Sequence, residues 1–476
     1  MWYRYALLVT GVFALALTLL VLLRSPSESE RPAPLDVRVV AGVRSLTVEL
    51  NASGRVRVRV RPVDPPSGYP KPPSEGERVV ELECGGRCTA IVEVAGGRGY
   101  SVTVEAGEGR ATITVPYVRE FEDLASRLWE RGVVVSAAYM PWRMGEVLGS
   151  DWRGDQPLLG LYDASDDYAQ WRHIDLARGY GVHVFWVDWT MYASTEAGER
   201  IFQVTRGLLE KGMVVGIMIG PQVNMRWGSG YPSIDLGDQL NARILLDLVR
   251  RALPLMRHPN YYRVEGRPAI LVWNEAAFYN RRDAYRVLRE LVKGELGVEP
   301  YLIADVLPRI QRGEKLVPGT PGGRWYIDNL LLRGDGADAY VDAYTSWIGF
   351  YSVQGQRALS PSELAEYQSL YREHLLSWWS FSKARGKCLI PTVSPGFDRT
   401  HDAGFGQPWP IPRDPTRFAS MLEAALQLAA ECGEVRIDTW NDFFEGSYIE
   451  PSVREGFLFL EALASALSRA CSSLGE

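Results

Sequence analysis

The sequence predicts an α/β protein: a (β/α)8 barrel preceded by a small all-β sandwich and an N-terminal transmembrane helix. Three observations carry this reading. An uncharged run of 19 residues, Tyr5 to Leu23, lies between Arg4 and Arg24. From Asp36 to Val115 apolar and polar residues alternate, the period of half-buried strands. From Val133 onward short apolar runs alternate with longer helical stretches, the pattern of parallel strands covered by helices.

The first run is long enough to cross a bilayer, which takes about 20 apolar residues. Its small residues Ala14 and Ala16 sit inside it, and Arg24-Ser25-Pro26 follows, where a cleaved leader would place a small-x-small site. Residues 1–24 are therefore expected to be a transmembrane signal anchor, and the Ser-, Pro- and Glu-rich residues 25–35 a linker. The flanking arginines are nearly balanced and leave the orientation weakly specified. Cys84 and Cys88, a close pair expected in a loop, favour an oxidising space. The expected location is a single-pass membrane protein with its barrel on the extracellular side.

Residues 36–116 contain seven alternating runs, beginning at Val37, Leu46, Val56, Val79, Ala90, Tyr100 and Ala111. Gly, Pro and Asn clusters separate them, which predicts an antiparallel sandwich. The segment has no His or Trp and no cluster of carboxylates. It reads as a spacer or accessory module, with carbohydrate binding as the alternative. Residues 117–132 connect it to a barrel spanning 133–470. The eight expected strands are Val133–Tyr139, His183–Asp188, Val214–Ile219, Ala269–Trp273, Tyr301–Asp305, Ala339–Thr345, Cys388–Val393 and Val435–Thr439. The weakest helix of the pattern is Trp325–Leu332, after the fifth strand.

Composition narrows the chemistry. Lys and Arg number 52 against 58 Asp and Glu, giving a net charge of −6. No basic run exists to neutralise phosphates, so a nucleic-acid partner is excluded. Five His, none at an H-x-x-x-H spacing, argue against a zinc hydrolase. There is no Gly-rich phosphate loop and no G-x-S-x-G elbow. Tryptophan is abundant: 14 of the 15 lie at or after Trp129. Broad flat rings suit sugar faces, or fill a large aromatic core.

In such a barrel function sits at the C-terminal ends of the strands. Those ends carry Tyr139 and Trp142, Asp188 and Trp189, Gln222, Trp273-Asn274-Glu275, Asp305, Ser394 to Asp398, and Trp440 to Pro451. Carboxylates, amides and aromatics are what glycosidic chemistry uses: one acid protonates the leaving oxygen, a second carboxylate stabilises or attacks, and rings stack on sugars. The densest cluster follows the eighth strand, with Asp442, Glu445 and Glu450. Asp442 and Glu445 stand in the turn itself, and Glu450 stands where an acidic residue also favours a helix start.

The stretch Trp440-Asn441-Asp442-Phe443-Phe444-Glu445-Gly446 to Ile449-Glu450-Pro451 resembles the eighth-strand signature of glycoside hydrolase family 99 and the related WbsX-type proteins. Tyr139-Met140-Pro141-Trp142, the segment Pro157 to Asp163, Tyr261 to Pro268, and Pro395-Gly396-Phe397-Asp398 are similar to further family segments in the same order. The resemblance covers Val133 to Leu467. It implies a barrel that cleaves α-mannosidic linkages within a chain, with retention and without a cofactor. It also implies that the sugar's own 2-hydroxyl is the nucleophile. The catalytic pair carried over is Asp442, which takes the proton of that hydroxyl, and Glu445, the general acid and then base. Tyr139, Trp142, Asp188, Trp189, Asp398, Trp440, Asn441 and Glu450 are the expected substrate contacts, and the partner is a carbohydrate. The sequence departs from the hydrolases in having Asp442 where they have Glu and Phe443 where they have Trp. Three alternatives follow: a barrel that binds carbohydrate without turnover, a WbsX-like role in polysaccharide assembly, and a conventional glycosidase using Asn274-Glu275.

Overall fold

The computed structural model describes residues 35–150, 152–190, 195–308, 310, 316–347, 360–401, 410–429 and 432–473. The apolar run Tyr5 to Leu23 lies outside the described residues, among which no helix is long and apolar enough to cross a membrane. The chain divides into two compact units between Glu122 and Asp123.

The first unit holds five antiparallel strands: β1 (Val37–Ala41), β2 (Ser45–Val63), β3 (Arg78–Glu93), β4 (Arg98–Ala106) and β5 (Gly109–Val118). The seven runs of the sequence form five strands because two pairs of runs are continuous in space. β2 pairs with β1 through Leu46–Leu50 and with β4 through Val56–Val63, while β3 follows it along both halves. The expected sandwich is thus one hydrogen-bonded sheet bent at a corner. Leu46, Val48 and Leu50 from one half and Val56, Val58 and Val60 from the other share a single buried cluster. The corner is where Gly54, at φ 85°, stands opposite Cys84. Cys84 and Cys88 form a disulfide across it with their Cα atoms 5.8 Å apart. Residues four apart in an extended strand would be about 13 Å apart. The pair therefore staples a fold within β3, not a loop.

The second unit is built on eight parallel strands: Val134–Tyr139, Val184–Asp188, Val214–Ile219, Arg267–Val272, Tyr301–Asp305, Ala343–Thr345, a seventh in two pieces (Cys388–Leu389 and Thr392–Val393), and Glu434–Ile437. Each pairs with the next, and the eighth pairs with the first. The seventh closes the ring: Cys388 and Leu389 pair with the sixth strand, Thr392 and Val393 with the eighth. Pro391 between the pieces has no N–H to give. Its carbonyl still accepts from Arg436 N at 2.9 Å, so the ladder to the eighth strand continues. The sixth strand starts later than its apolar run because Ala337–Tyr340 forms a turn of 3-10 helix. The segment after the fifth strand is a helix, Pro321–Tyr326, continuing as a π-helical turn, Ile327–Leu332.

Inside the barrel, Trp186 lies over Gly216, where a Cβ would stand 2.4 Å from the indole ring. The covering helices are capped as their sequences dictate: Asp238 Oδ1 accepts from Leu240 N at 2.8 Å, and Ser360 with Glu363 forms a reciprocal capping box ahead of Pro361–Ala384. A second disulfide, Cys388–Cys432, ties the start of the seventh strand to the turn before the eighth.

That long helix buries His374, whose pKa burial holds down to about 4, against the opposing Pro308 backbone bond. An unfolded His titrates near 6.5. Between those values the unfolded chain binds the extra proton, so stability falls as pH drops from about 6.5 to about 4 and levels below. Denaturant midpoints across that window should show the loss, and His374→Leu should reduce it. His183, stacked on Trp129 with ring centroids 4.3 Å apart and also held to about 4, adds a second contribution in the same window.

Candidate active site

The eighth strand, Glu434–Ile437, alternates polar and apolar side chains and points its polar ones into the barrel. Glu434 accepts from Ser136 Oγ at 2.7 Å, Trp186 Nε1 at 3.0 Å and Tyr262 OH at 2.8 Å. Above it Arg436 pairs with Asp438 at 3.2 Å, both fully buried, and donates to the Ser346 carbonyl at 3.1 Å. These three were not anticipated as a set, though the alternation Glu434-Val435-Arg436-Ile437-Asp438 is visible in the sequence.

The strand opens into a compact turn. Thr439 Oγ1 accepts from Asp442 N at 2.8 Å, and Asp442 Oδ1 accepts from Glu445 N at 2.8 Å. The turn needs Gly446, whose φ is 62°. Asp442 is 3% exposed. Burial, then the neighbouring Glu445 carboxylate, pushes its pKa well above the carboxylate range, and Asp188 at the end of the second strand adds to this. The Glu445 amide and Arg399 oppose it. Asp188 is itself raised by burial, against hydrogen bonds from Thr190. The Glu445 side chain is more open, at 16% exposure, and pairs with Arg399 Nη1 at 3.0 Å.

The expected contact residues separate into two groups. Asp442, Glu445 and Asp188 converge electrostatically at the mouth. Trp142, after the first strand, is half-buried. Asp398 is exposed, and its carboxylate is taken up by Thr400 N and Oγ1 at 3.0 and 2.7 Å. These bonds to Oδ1 fix the turn that carries Arg399. The other five are fully enclosed. Trp189 turns outward and donates to Thr205 Oγ1 of the helix Thr195–Glu210 at 3.1 Å. Tyr139 OH meets His173 Nδ1 at 3.0 Å, His173 Nε2 meets Glu450 Oε1 at 3.1 Å, and Tyr162 OH donates to Glu450 Oε2 at 2.7 Å. Asn441 joins the same network: its amide donates to Tyr162 OH and to the Met140 carbonyl and accepts from Met140 N at 2.7 Å. Trp440 packs behind it, against Phe185 and His173. Asn441 and Glu450, through Met140, Tyr162, His173 and Tyr139, hold the eighth-strand turn to the first strand.

Glu275, the acid of the conventional alternative, is 0% exposed and bonded to Arg281 Nη1 at 2.6 Å and Tyr285 OH at 3.0 Å. That arrangement is structural. Beside Glu445, sequence reasoning missed Arg399 and Trp152; Trp152 joins Phe444 and His401 in an aromatic group, with His401 edge-on to Phe444 at 4.6 Å. The adjacency of Arg399 to the Pro395–Asp398 segment was the available signal for the first. Among the described residues no group of three or more His, Cys, Asp or Glu side chains is placed to hold a metal ion.

A family model described as Glycosyltransferase WbsX matches residues 154–463, well over half of the chain. The chain belongs to the WbsX family. Its eighth-strand turn, Arg399 and Asp188 all fall inside the matched region. An uncharacterized protein, WxcX of Xanthomonas campestris pv. campestris, is 22% identical over 333 residues, covering 66% of this chain and 43% of that protein. This WbsX-family chain thus spans less than half the length of the curated relatives it matches. Among solved structures, a glycoside hydrolase-like protein superposes with a TM-score of 0.51 at 18% identity, covering 70% of this chain and 93% of that one. The family 99 endo-α-mannosidase of Bacteroides thetaiotaomicron gives 0.49 at 15% identity, over 75% and 99% of the two chains. At such identities the likeness to the glycoside hydrolase-like protein is one of fold, a glycosidase-type barrel.

Proposed function

We propose that this chain is a glycan-active enzyme that breaks an α-mannoside-like linkage at the mouth of its barrel, with retention and participation of the sugar's 2-hydroxyl. The observation that carries this is the carboxylate pair of the eighth-strand turn. Asp442 is buried and fixed to the Glu445 amide, and Glu445 reaches partial solvent three residues later. Two acids in unlike surroundings are the usual equipment for giving and taking protons at one bond. Trp142 and Asp188 stand nearest in role to substrate contacts.

The test is to incubate the full chain in detergent with a panel of α-mannans and α-glucans, following released oligosaccharides by mass spectrometry and the anomer first formed by NMR. Release by the parent and not by Glu445→Gln supports the reading. Saturable binding with no release from any glycan overturns it and leaves a barrel that only binds. The family description favours a second reading, transfer to another sugar during polysaccharide assembly. Products longer than the substrate would identify it.

We also propose that Tyr5–Leu23 anchors the chain and that the barrel stands on the extracellular side. Two disulfides, Cys84–Cys88 and Cys388–Cys432, support an oxidising location. Peptide mapping of protein taken from its native membrane without reductant should recover both linkages. Free thiols at all four positions would sink the placement.

A further inference from the structure

The loop after the third strand shows two large aromatic rings to solvent. Trp227 is 52% exposed and Tyr231 is 53% exposed. Both are held by their polar tips. Trp227 Nε1 donates to the Gln222 carbonyl at 3.1 Å, and Tyr231 OH donates to Asn274 Oδ1 at 3.0 Å. What each ring offers to solvent is therefore mostly carbon. The loop itself is fastened at several points. Asn241, in the first turn of the helix Gln239–Met256, is fully buried; its side chain accepts from Arg226 N at 2.7 Å and donates to the Arg226 and Asp235 carbonyls. Gly228 N donates to the Ser233 carbonyl at 2.6 Å, and Ser233 N to the Ala277 carbonyl, beyond the fourth strand, at 2.9 Å. At the root of the loop, Gln222 Nε2 donates to the carbonyl of Trp189, the residue after Asp188, at 3.2 Å. Asn274, at the end of the fourth strand, has φ 47°, a left-handed conformation uncommon for a residue with a Cβ. Its amide N donates to Asp305 Oδ2 at 3.1 Å. With Oδ1 given to Tyr231, its side chain keeps Nδ2 as a donor.

We propose that Trp227, Tyr231 and the Asn274 amide form a separate platform that grips a neutral sugar ring of a glycan chain, away from the ring at the acids. The inference rests on the glycan-active reading and adds to it that the chain is held at a distance from the bond that breaks. Flat carbon surfaces beside a hydrogen-bond donor match a pyranose, which has a C–H face and hydroxyls at its rim. The segment Trp227-Gly228-Ser229-Gly230-Tyr231-Pro232 carries no charge, and the flanking Arg226 is paired with Asp238 at 2.8 Å. A phosphate or a uronate therefore finds no cation here. The third strand stands three places round the ring from the eighth, about 14 Å at the usual strand spacing. One sugar ring does not reach that far, so a ligand that meets both places is a chain of several sugars. Because the loop is pinned before any ligand arrives, little ordering is left to oppose binding.

Calorimetric titration of the full chain in detergent tests this, with Glu445→Gln in every sample so that the ligand stays whole. The probes are α-linked manno-oligosaccharides and malto-oligosaccharides of two and of six sugars. Affinity should rise from the short ligand to the long one. Trp227→Ala should weaken the long ligand by about 3- to 10-fold, the worth of one aromatic contact, and so remove most of the gain from length. Trp227→Phe keeps a flat ring and should restore part of the gain. Trp227→Leu keeps apolar bulk without a flat ring and should not. Tyr231→Ala should act in the same direction, and it carries the test should Trp227→Ala fail to fold. A gain from length that is unchanged in these two alanine variants overturns the proposal and leaves the glycan reading standing. Recovery by Leu as complete as by Phe also overturns it, since Trp227 would then serve packing alone. Binding of none of the oligosaccharides by a parent chain that still releases sugar from a polymer overturns the platform only. No binding and no release overturn the platform and the glycan reading together.

Discussion

Glu445→Gln is expected to lower turnover of a cleavable α-linked glycan by about 10²- to 10⁴-fold, the usual contribution of a positioned acid or base. That corresponds to about 3–5 kcal/mol on the barrier. The substitution is close to isosteric. The Glu445 backbone keeps its bonds to Asp442 Oδ1 and Asp398 N, and the amide oxygen can still accept from Arg399. Folding and glycan affinity should therefore change little, while kcat carries the loss. Initial rates beside calorimetric binding separate the two. A fall of less than tenfold would mean that the proton is moved by another group.

Arg281→Met is expected to cost about 3–5 kcal/mol of stability. Arg281 bonds Glu275 at 2.6 Å, Asp335 at 2.9 Å and the Leu331 carbonyl at 3.0 Å. Although burial opposes its charge, Glu275 and Asp335 push its pKa up, so it stays a cation. Without it Glu275, at 0% exposure, keeps only its hydrogen bond from Tyr285, with Arg333 left as the remaining cation acting on it. The double variant Arg281→Met, Glu275→Leu removes both charges and should recover most of the loss. Urea unfolding of the parent, the single and the double variant measures this. A single variant as stable as the parent would overturn the expectation.

The barrel was legible because its strands are short, apolar and bounded by helical stretches. Val214–Ile219 and Tyr301–Asp305 stand where the sequence puts them. The bent sheet was less so: a corner between two strands and a turn between two strands carry the same glycines, and only pairing distinguishes them. The turn at Asp442 and Glu445 was readable as a motif, but the direction of each neighbouring side chain was not. Tyr139 and Trp189 occupy strand ends, yet the strand period turns them toward the helices, while Asp188 faces inward one residue away; Trp440 lies beyond the end of the eighth strand, where that period no longer holds, and packs against His173 and Phe185. Glu450 was ambiguous for a simpler reason. Its partners, His173 and Tyr162, are 277 and 288 residues away in sequence, and no local pattern records such a pairing. Arg399 belongs to the same class, since the acid it meets is 46 residues downstream.

The Asn441 amide holds Met140 across 301 residues of chain, and this orders events during biosynthesis. Asp442 and Glu445 follow the eighth strand of the barrel, and the residue their turn is tied to follows the first. The first seven strands of the barrel are made before Asp442 and Glu445 exist. The carboxylate pair is set in place only when the eighth strand joins the first, and a chain interrupted before that point lacks it.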